Sequence, residues 1–115
     1  MPFKLSYDNI YHDGDAVMDG TEVTIFEITR QNTVVNGYLD LTAMQAGDSV
    51  EIRLLGKNDV AGAYVEWGKE TKTDLQAHPL MLLRPMQVPY ALKWTAKQIA
   101  GVNRTFHYSY SEEIR

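Results

Sequence analysis

The sequence contains no cysteine, so the fold has neither disulfide bonds nor thiolate metal ligands. Its stability must come from packing or from assembly with other chains. No apolar run approaches the roughly 20 residues that cross a bilayer, so we expect no membrane segment. Residues 1–4 also lack the basic and then apolar layout of a signal peptide, which predicts synthesis and use in the cytosol, or release by lysis.

Sequence motifs for catalysis and for cofactor binding are missing as well. There is no phosphate-cradling glycine loop, no dinucleotide fingerprint and no nucleophile elbow, and no two of the three histidines have a zinc-binding spacing. The densest polar cluster contains His12, Asp13, Asp15 and Asp19, which we interpret as a solvated hairpin tip, with a weak calcium site as the alternative. We therefore expect no enzyme, no cofactor and no resident metal ion.

Charge is present but is distributed unevenly along the chain. Residues 1–68 hold 11 acids and 4 bases, whereas residues 69–115 hold 4 acids and 7 bases, so the net charge is −4. An acidic net charge without a basic cluster argues against binding to nucleic acid, which requires neutralised phosphates. The asymmetry indicates solubility, or alternatively surfaces of opposite sign that meet between neighbouring copies.

The length and composition are those of one globular domain spanning residues 1–115. Hydrophobic residues make up 44% of the chain and charged residues 23%, a balance typical of a folded soluble protein. Two domains of half this length would each be too small to bury a core of their own.

Hydrophobicity alternates with a period of two, which indicates strands with one buried face. The alternation is clearest in residues 48–54, 92–97 and 105–110. Weaker patterns predict five more strands, over residues 3–11, 21–29, 33–41, 63–70 and 80–86. About eight short strands without intervening helices favour an all-β antiparallel β-sandwich, most plausibly a jelly roll.

Turn residues separate these predicted strands. Asp13-Gly14-Asp15 is interpreted as one such turn, and Asn36-Gly37 as either a hairpin turn or a bulge. Residues 42–46 are long enough for one helical turn, with Thr42 as N-cap and Gly47 as left-handed terminator. Three prolines crowd residues 79–89, which predicts an edge strand or a crossover between sheets.

The aromatic residues divide into two predicted groups. Trp94, Phe106, Tyr108 and Tyr110 fall on the apolar phases of their strands, so core packing is expected. Tyr64 and Trp67 lie among charged residues and are the better surface candidates. They fit either an interface anchor or one side of a sugar-binding groove.

Three ordered segments resemble a group of small bacteriophage virion structural proteins. They are GTEVTIF at residues 20–26, LDL followed by TAMQAGDSVEIR at residues 39–53, and ALKWTAKQIAGVNRTF at residues 91–106. The resemblance covers roughly residues 20–110, and it rests on the order and spacing of the segments. The chain departs from the group in residues 79–89.

This resemblance implies a capsid decoration, or cement, protein of the virion, made in the host cytoplasm. Such a protein binds the major capsid protein or another virion protein and stabilises the lattice, usually as an oligomer, with a trimer favoured here. It needs no cofactor, nucleic acid or membrane, and Tyr64 and Trp67 would be the anchors. The alternatives are a carbohydrate-binding module and a tail or connector component of the particle.

Overall fold

The computed structural model describes residues 8–114. Eight strands account for most of this range, as predicted, and the range contains no helix that is long and apolar enough to cross a membrane. The strands are β1 (Asp8–Val17), β2 (Glu22–Ile28), β3 (Thr33–Asp40), β4 (Ser49–Lys57), β5 (Val65–Thr73), β6 (Leu80–Gln87), β7 (Ala91–Ala100) and β8 (Thr105–Ile114).

The strands form two antiparallel sheets of four. Sheet A has the order β1-β8-β3-β6 and sheet B the order β2-β7-β4-β5. The pairs β1 with β8, β2 with β7, β3 with β6 and β4 with β5 are those of one long hairpin whose tip is the β4–β5 connection. The pairs β3 with β8 and β4 with β7 roll this hairpin up into two sheets. This topology is a jelly roll, and it confirms the predicted all-β antiparallel sandwich.

The core lies between the sheets and is built from alternate residues of the strands. In β4, Val50 and Ile52 are buried, whereas Glu51 and Arg53 keep part of their surface in solvent. Burying an apolar side chain of this size contributes about 1.5–3 kcal/mol relative to leaving it exposed. The period of two in the sequence therefore reports the inner and outer faces of each sheet.

The predicted aromatic core is confirmed. Trp94 and Phe106 are buried, and Tyr108 and Tyr110 are partly buried against the same cluster. The ring of Phe26 in β2 lies 5.8 Å from the Trp94 ring of its own sheet and 5.0 Å from the Tyr110 ring of the other sheet. Aromatic contacts thus join the two sheets.

The predicted turn at residues 13–15 is wrong, because this segment lies inside β1. The predicted strand over residues 3–11 begins outside the described residues, and within them β1 continues to Val17. Gly14 is needed for close approach rather than for a turn. A Cβ atom at Gly14 would lie 2.7 Å from the Tyr108 hydroxyl oxygen.

The corner between β3 and β4 consists of two successive turns and not of a helical turn. Met44 N donates to Leu41 O, and Asp48 N donates to Gln45 O. Gly47 has the expected positive φ, 89°. Thr42 does not cap a helix; its amide instead donates to the Asp40 carboxylate at 2.9 Å.

The segment Asn36-Gly37 forms neither a hairpin turn nor a bulge of its own strand, because it lies inside β3 and pairs residue by residue with β8. The register between β3 and β6 shifts here because Arg84 and Pro85 of β6 both lie opposite Asn36, so the bulge is in β6. The expectation for the prolines is met. The proline-rich segment contains β6, which is an edge strand of sheet A and includes Pro85.

Candidate interaction surfaces

The outer face of sheet B carries charges that are already paired. Arg53 of β4 donates from Nε to Glu66 Oε1 at 2.8 Å and from Nη1 to Glu22 Oε2 at 2.6 Å. These two carboxylates raise the pKa of Arg53 above its ordinary value. Beside them, Lys69 Nζ lies 3.7 Å from Glu51 Oε2. A face with such internal partners gains little from a charged ligand.

Tyr64, one of the two predicted anchors, is engaged within the molecule. Its hydroxyl donates to Glu27 Oε2 at 2.7 Å, and the ammonium groups of Lys57 and Lys93 lie 5.0 and 5.2 Å from its ring centre. Burial, together with the Glu27 carboxylate, raises the pKa of Tyr64 to about 12. The residue therefore holds the segment before β5 against sheet B.

Trp67, the other predicted anchor, lies on edge strand β5 and is 40% exposed. The register between β4 and β5 shifts at this point. The Trp67 ring covers Gly56 of β4 so closely that a Cβ atom there would collide with it. The structure thus leaves part of the Trp67 ring available to a partner.

The sandwich is open along the side where β5 and β6 face each other. Opposite Ile52 and Leu54 of β4, β5 places Glu70 and Gly68, so it adds no apolar side chain to the core there. A hollow of about 220 Å³ results, lined by Ile52, Leu54, Gly68, Lys69, Glu70, Met81, Leu82, Leu83 and Trp94. We call this side of the molecule the open edge.

Apolar side chains continue around the open edge onto the surface. Leu80 and Leu82 of β6 are 49% and 65% exposed, and Leu75, in the loop before β6, is also exposed. Because β6 pairs only with β3 among residues 8–114, its other side presents backbone groups that no described strand pairs with. The open edge therefore combines exposed leucines with a free strand edge.

The side chains of the predicted polar cluster in residues 12–19 do not form one site, because they have different partners in the structure. His12 stacks on Tyr110 with ring centres 4.5 Å apart, and its Nε2 lies 2.7 Å from Glu112 Oε2. Asp19 instead accepts a hydrogen bond from the amide of Thr21. Among residues 8–114, no three histidine, cysteine or acidic side chains are placed to hold a metal ion.

Asp13 and Asp15 meet His107 on the outer face of sheet A. His107 Nδ1 lies 3.2 Å from Asp15 Oδ1, and Nε2 lies 2.7 Å from Asp13 Oδ1. The hydrogen bond to Asp15 and the charges of both carboxylates raise the pKa of His107. His12 and His107 therefore each have an acidic partner, but neither histidine lines the hollow at the open edge or the hollow on the outer face of sheet A.

A second hollow lies beside this cluster, on the outer face of sheet A. Its floor is formed by Ser109 and Ser111 of the central strand β8, with Tyr11 of β1 on one side and Asn36 and Tyr38 of β3 on the other. Tyr11 and Asn36 flank Ser111, and Tyr38 flanks Ser109. We call this the tyrosine hollow. Sequence reasoning missed it because its residues come from three strands that are distant along the chain.

Asp48, a buried acid that sequence reasoning also missed, joins loops at one end of the sandwich. Its carboxylate accepts from Arg104 Nε at 2.8 Å, from the Gln45 amide at 2.9 Å and from the Val102 amide at 3.1 Å. The hydrogen bond from Arg104 is the main cause that lowers the pKa of Asp48. A backbone bond from the Asp74 amide to Asp48 O adds the loop after β5. This arrangement is a structural junction.

Comparisons of the chain with protein-family models, with curated proteins and with solved structures gave no match.

Proposed function

We propose that the chain is a virion structural protein of the capsid decoration type, which binds the capsid lattice through its open edge. The observation that carries the proposal is the exposure of Leu80 and Leu82 on the unpaired edge strand β6. Apolar strand edges that face solvent are sites at which another chain adds or packs. The resemblance of the sequence to small phage virion proteins supports a capsid protein as this partner.

Trp67 extends the proposed docking surface to β5. It is a partly exposed tryptophan on the second strand that borders the open edge, and tryptophan is enriched among the residues that dominate binding energy. We do not extend the surface to Tyr64, because its hydroxyl and its ring already have partners within the molecule. On a lattice, many copies bind repeated sites, so modest contacts per copy suffice to stabilise the shell.

Binding of recombinant chain to purified phage heads that lack it tests the proposal. We expect saturable co-sedimentation of the unaltered chain. Leu82→Lys is expected to weaken binding about tenfold or more, because it places a charge at the centre of an apolar contact. Val60→Lys is the matched control, since Val60 is 77% exposed and lies in the β4–β5 connection, outside the open edge.

The control is expected to bind like the unaltered chain. Heads that do not bind the unaltered chain, or that bind Leu82→Lys equally well, would refute the role of the open edge. Leu82 is mostly in solvent, so this substitution is expected to leave the fold intact, and unfolding curves of both variants check this.

A further inference from the structure

We propose that the tyrosine hollow binds a neutral sugar residue of a glycan chain. This proposal does not rest on capsid binding, because the hollow is lined by residues of β1, β8 and β3, whereas the proposed capsid contact is centred on β5 and β6. The two surfaces adjoin where Leu82 of β6 lies opposite Tyr38 of β3.

The geometry of the hollow fits one sugar ring. Tyr11 and Tyr38 lie on the two strands that flank β8, and neighbouring strands lie about 4.8 Å apart, which places about 10 Å between the strands that carry the two rings. The residues between them on β8 are serines, so the floor is low. The hollow is open to solvent and has a volume of about 160 Å³, so we expect it to take one sugar residue of a chain rather than a whole oligosaccharide.

Polar groups in the hollow are free to bind sugar hydroxyls. Within residues 8–114, the hydroxyls of Tyr11, Tyr38 and Ser109 have no hydrogen-bond partner. Ser111 Oγ makes only a long contact, 3.4 Å, with Asn36 Oδ1, so the Asn36 amide nitrogen remains available as a donor. A sugar needs this combination, because its C–H face packs on aromatic rings while its hydroxyls exchange hydrogen bonds at the rim.

Core packing does not account for the position of Tyr11. Its side chain is 77% exposed although it is large and partly apolar. The Tyr38 ring contacts His107, with ring centres 6.3 Å apart. Tyr11 and Tyr38 flank the serines of β8 from opposite sides, offset by two residues along the strand, so each can offer its ring to a sugar bound over this floor.

The charges beside the hollow select among sugars. Asp13, Asp15 and Asp40 lie around the single imidazole of His107 at one end of the hollow, so carboxylates outnumber cations there. An acidic sugar would place a further negative charge near them, which is unfavourable. The expected ligand is therefore a neutral sugar rather than a uronic or sialic acid.

Saturation-transfer NMR and calorimetry with defined oligosaccharides test this proposal. The neutral probes are maltotetraose, cellotetraose, mannotriose, galactobiose and chitotetraose, and the acidic comparison is sialyllactose. We expect saturable binding of at least one neutral probe with a millimolar Kd. Tyr11→Ala and Tyr38→Ala are each expected to weaken it about tenfold.

Three further variants make the result decisive. Tyr90→Ala removes a tyrosine that is 38% exposed outside the hollow and is expected to bind sugar normally. Ser109→Gln fills the floor and is expected to abolish binding. Trp67→Ala removes a ring of the proposed capsid contact on β5 of sheet B, away from the hollow, and is expected to leave sugar binding unchanged, so failure of capsid binding and failure of sugar binding are distinguishable. Absence of saturable binding of every neutral probe up to about 10 mM, or binding that survives both tyrosine substitutions, overturns the proposal.

Discussion

His107 shows how a single residue acquires a function-relevant environment only through the fold. It lies on β8, and its two carboxylate partners lie on β1, more than 90 residues earlier in the sequence. With a carboxylate facing each ring nitrogen, the doubly protonated imidazolium is favoured, because only this form donates from both nitrogens. The alternation of the sequence placed His107 on the polar face of its strand, but it could not reveal which acids oppose it.

The raised pKa of His107 predicts a pH-dependent contribution to stability. Because the folded-state pKa lies above the unfolded value, the contribution is complete below the unfolded pKa and is lost as the pH rises through the folded pKa. We therefore expect His107→Gln to lower the free energy of unfolding at about pH 5.5 and to have a much smaller effect at about pH 9. Urea unfolding at both pH values measures this difference.

A histidine without such partners supplies the control for this measurement. His78 is exposed and has no carboxylate partner in the described part of the chain, so His78→Gln is expected to change stability little at either pH. NMR titration of the unaltered chain should assign a pKa above 6.5 to His107. An equal loss of stability for His107→Gln at both pH values would contradict the electrostatic account.

At the scale of strands and turns, the sequence predicts an element well when its apolar residues alternate with polar ones. The segments 48–54, 92–97 and 105–110 correspond to β4, β7 and β8, which contribute Val50, Ile52, Leu92, Trp94, Ala96 and Phe106 to the core. The turn predicted at Gly14 was wrong because the sequence does not distinguish a glycine required by a turn from one required by a close contact. At Gly14 the requirement comes from the Tyr108 ring, which lies on β8.

The glycine in the β7–β8 turn tests the junction around Asp48. Gly20 and Gly101 have nearly the same φ, 87° and 85°, so an alanine at either position pays about 1–2 kcal/mol for a left-handed backbone. At Gly20 a Cβ atom would meet nothing within 4 Å, whereas at Gly101 it would collide with the Asp48 carboxylate. We expect Gly101→Ala to destabilise the protein clearly more than Gly20→Ala.

Chemical unfolding of the two alanine variants measures this comparison. The extra cost at Gly101 arises because the displaced carboxylate loses hydrogen bonds from the Val102 amide and from Arg104. Equal losses for the two variants would show that backbone strain alone accounts for the effect and that the junction adjusts freely.

At the scale of the whole molecule, the jelly-roll topology determines where the unevenly distributed charges of the chain lie. Sheet A alternates early and late strands, and sheet B places the late strand β7 between the early strands β2 and β4, so the acidic first part of the chain is interleaved with the more basic second part. The ion pairs between Asp48 and Arg104 and between Glu51 and Lys69 join these two parts within one copy. The described residues therefore do not separate into one acidic and one basic surface, which favours an intramolecular use of the asymmetry.

This interleaving also limits what the sequence could predict about sites. The number of strands, the core aromatic residues and the edge strand β6 with Pro85 follow from local patterns. The open edge and the tyrosine hollow depend on which distant strands become neighbours, and no local pattern encodes that order. Tyr64 and Trp67 illustrate the difference, because similar sequence surroundings give one engaged ring and one that is partly exposed.

The proposed capsid role also predicts the oligomeric state of the protein in solution. A cement protein at a threefold position of a lattice gains avidity when three copies bind together, so we expect a trimer of 13.1 kDa chains by light scattering behind size exclusion. Because the open edge is assigned to the capsid, Leu82→Lys should keep the trimer while losing capsid binding. Dissociation of the trimer by this substitution would instead assign the open edge to contacts between copies. A ring of six or twelve copies would contradict the decoration role and favour a connector or tail component, and a monomer at every concentration would contradict the trimer.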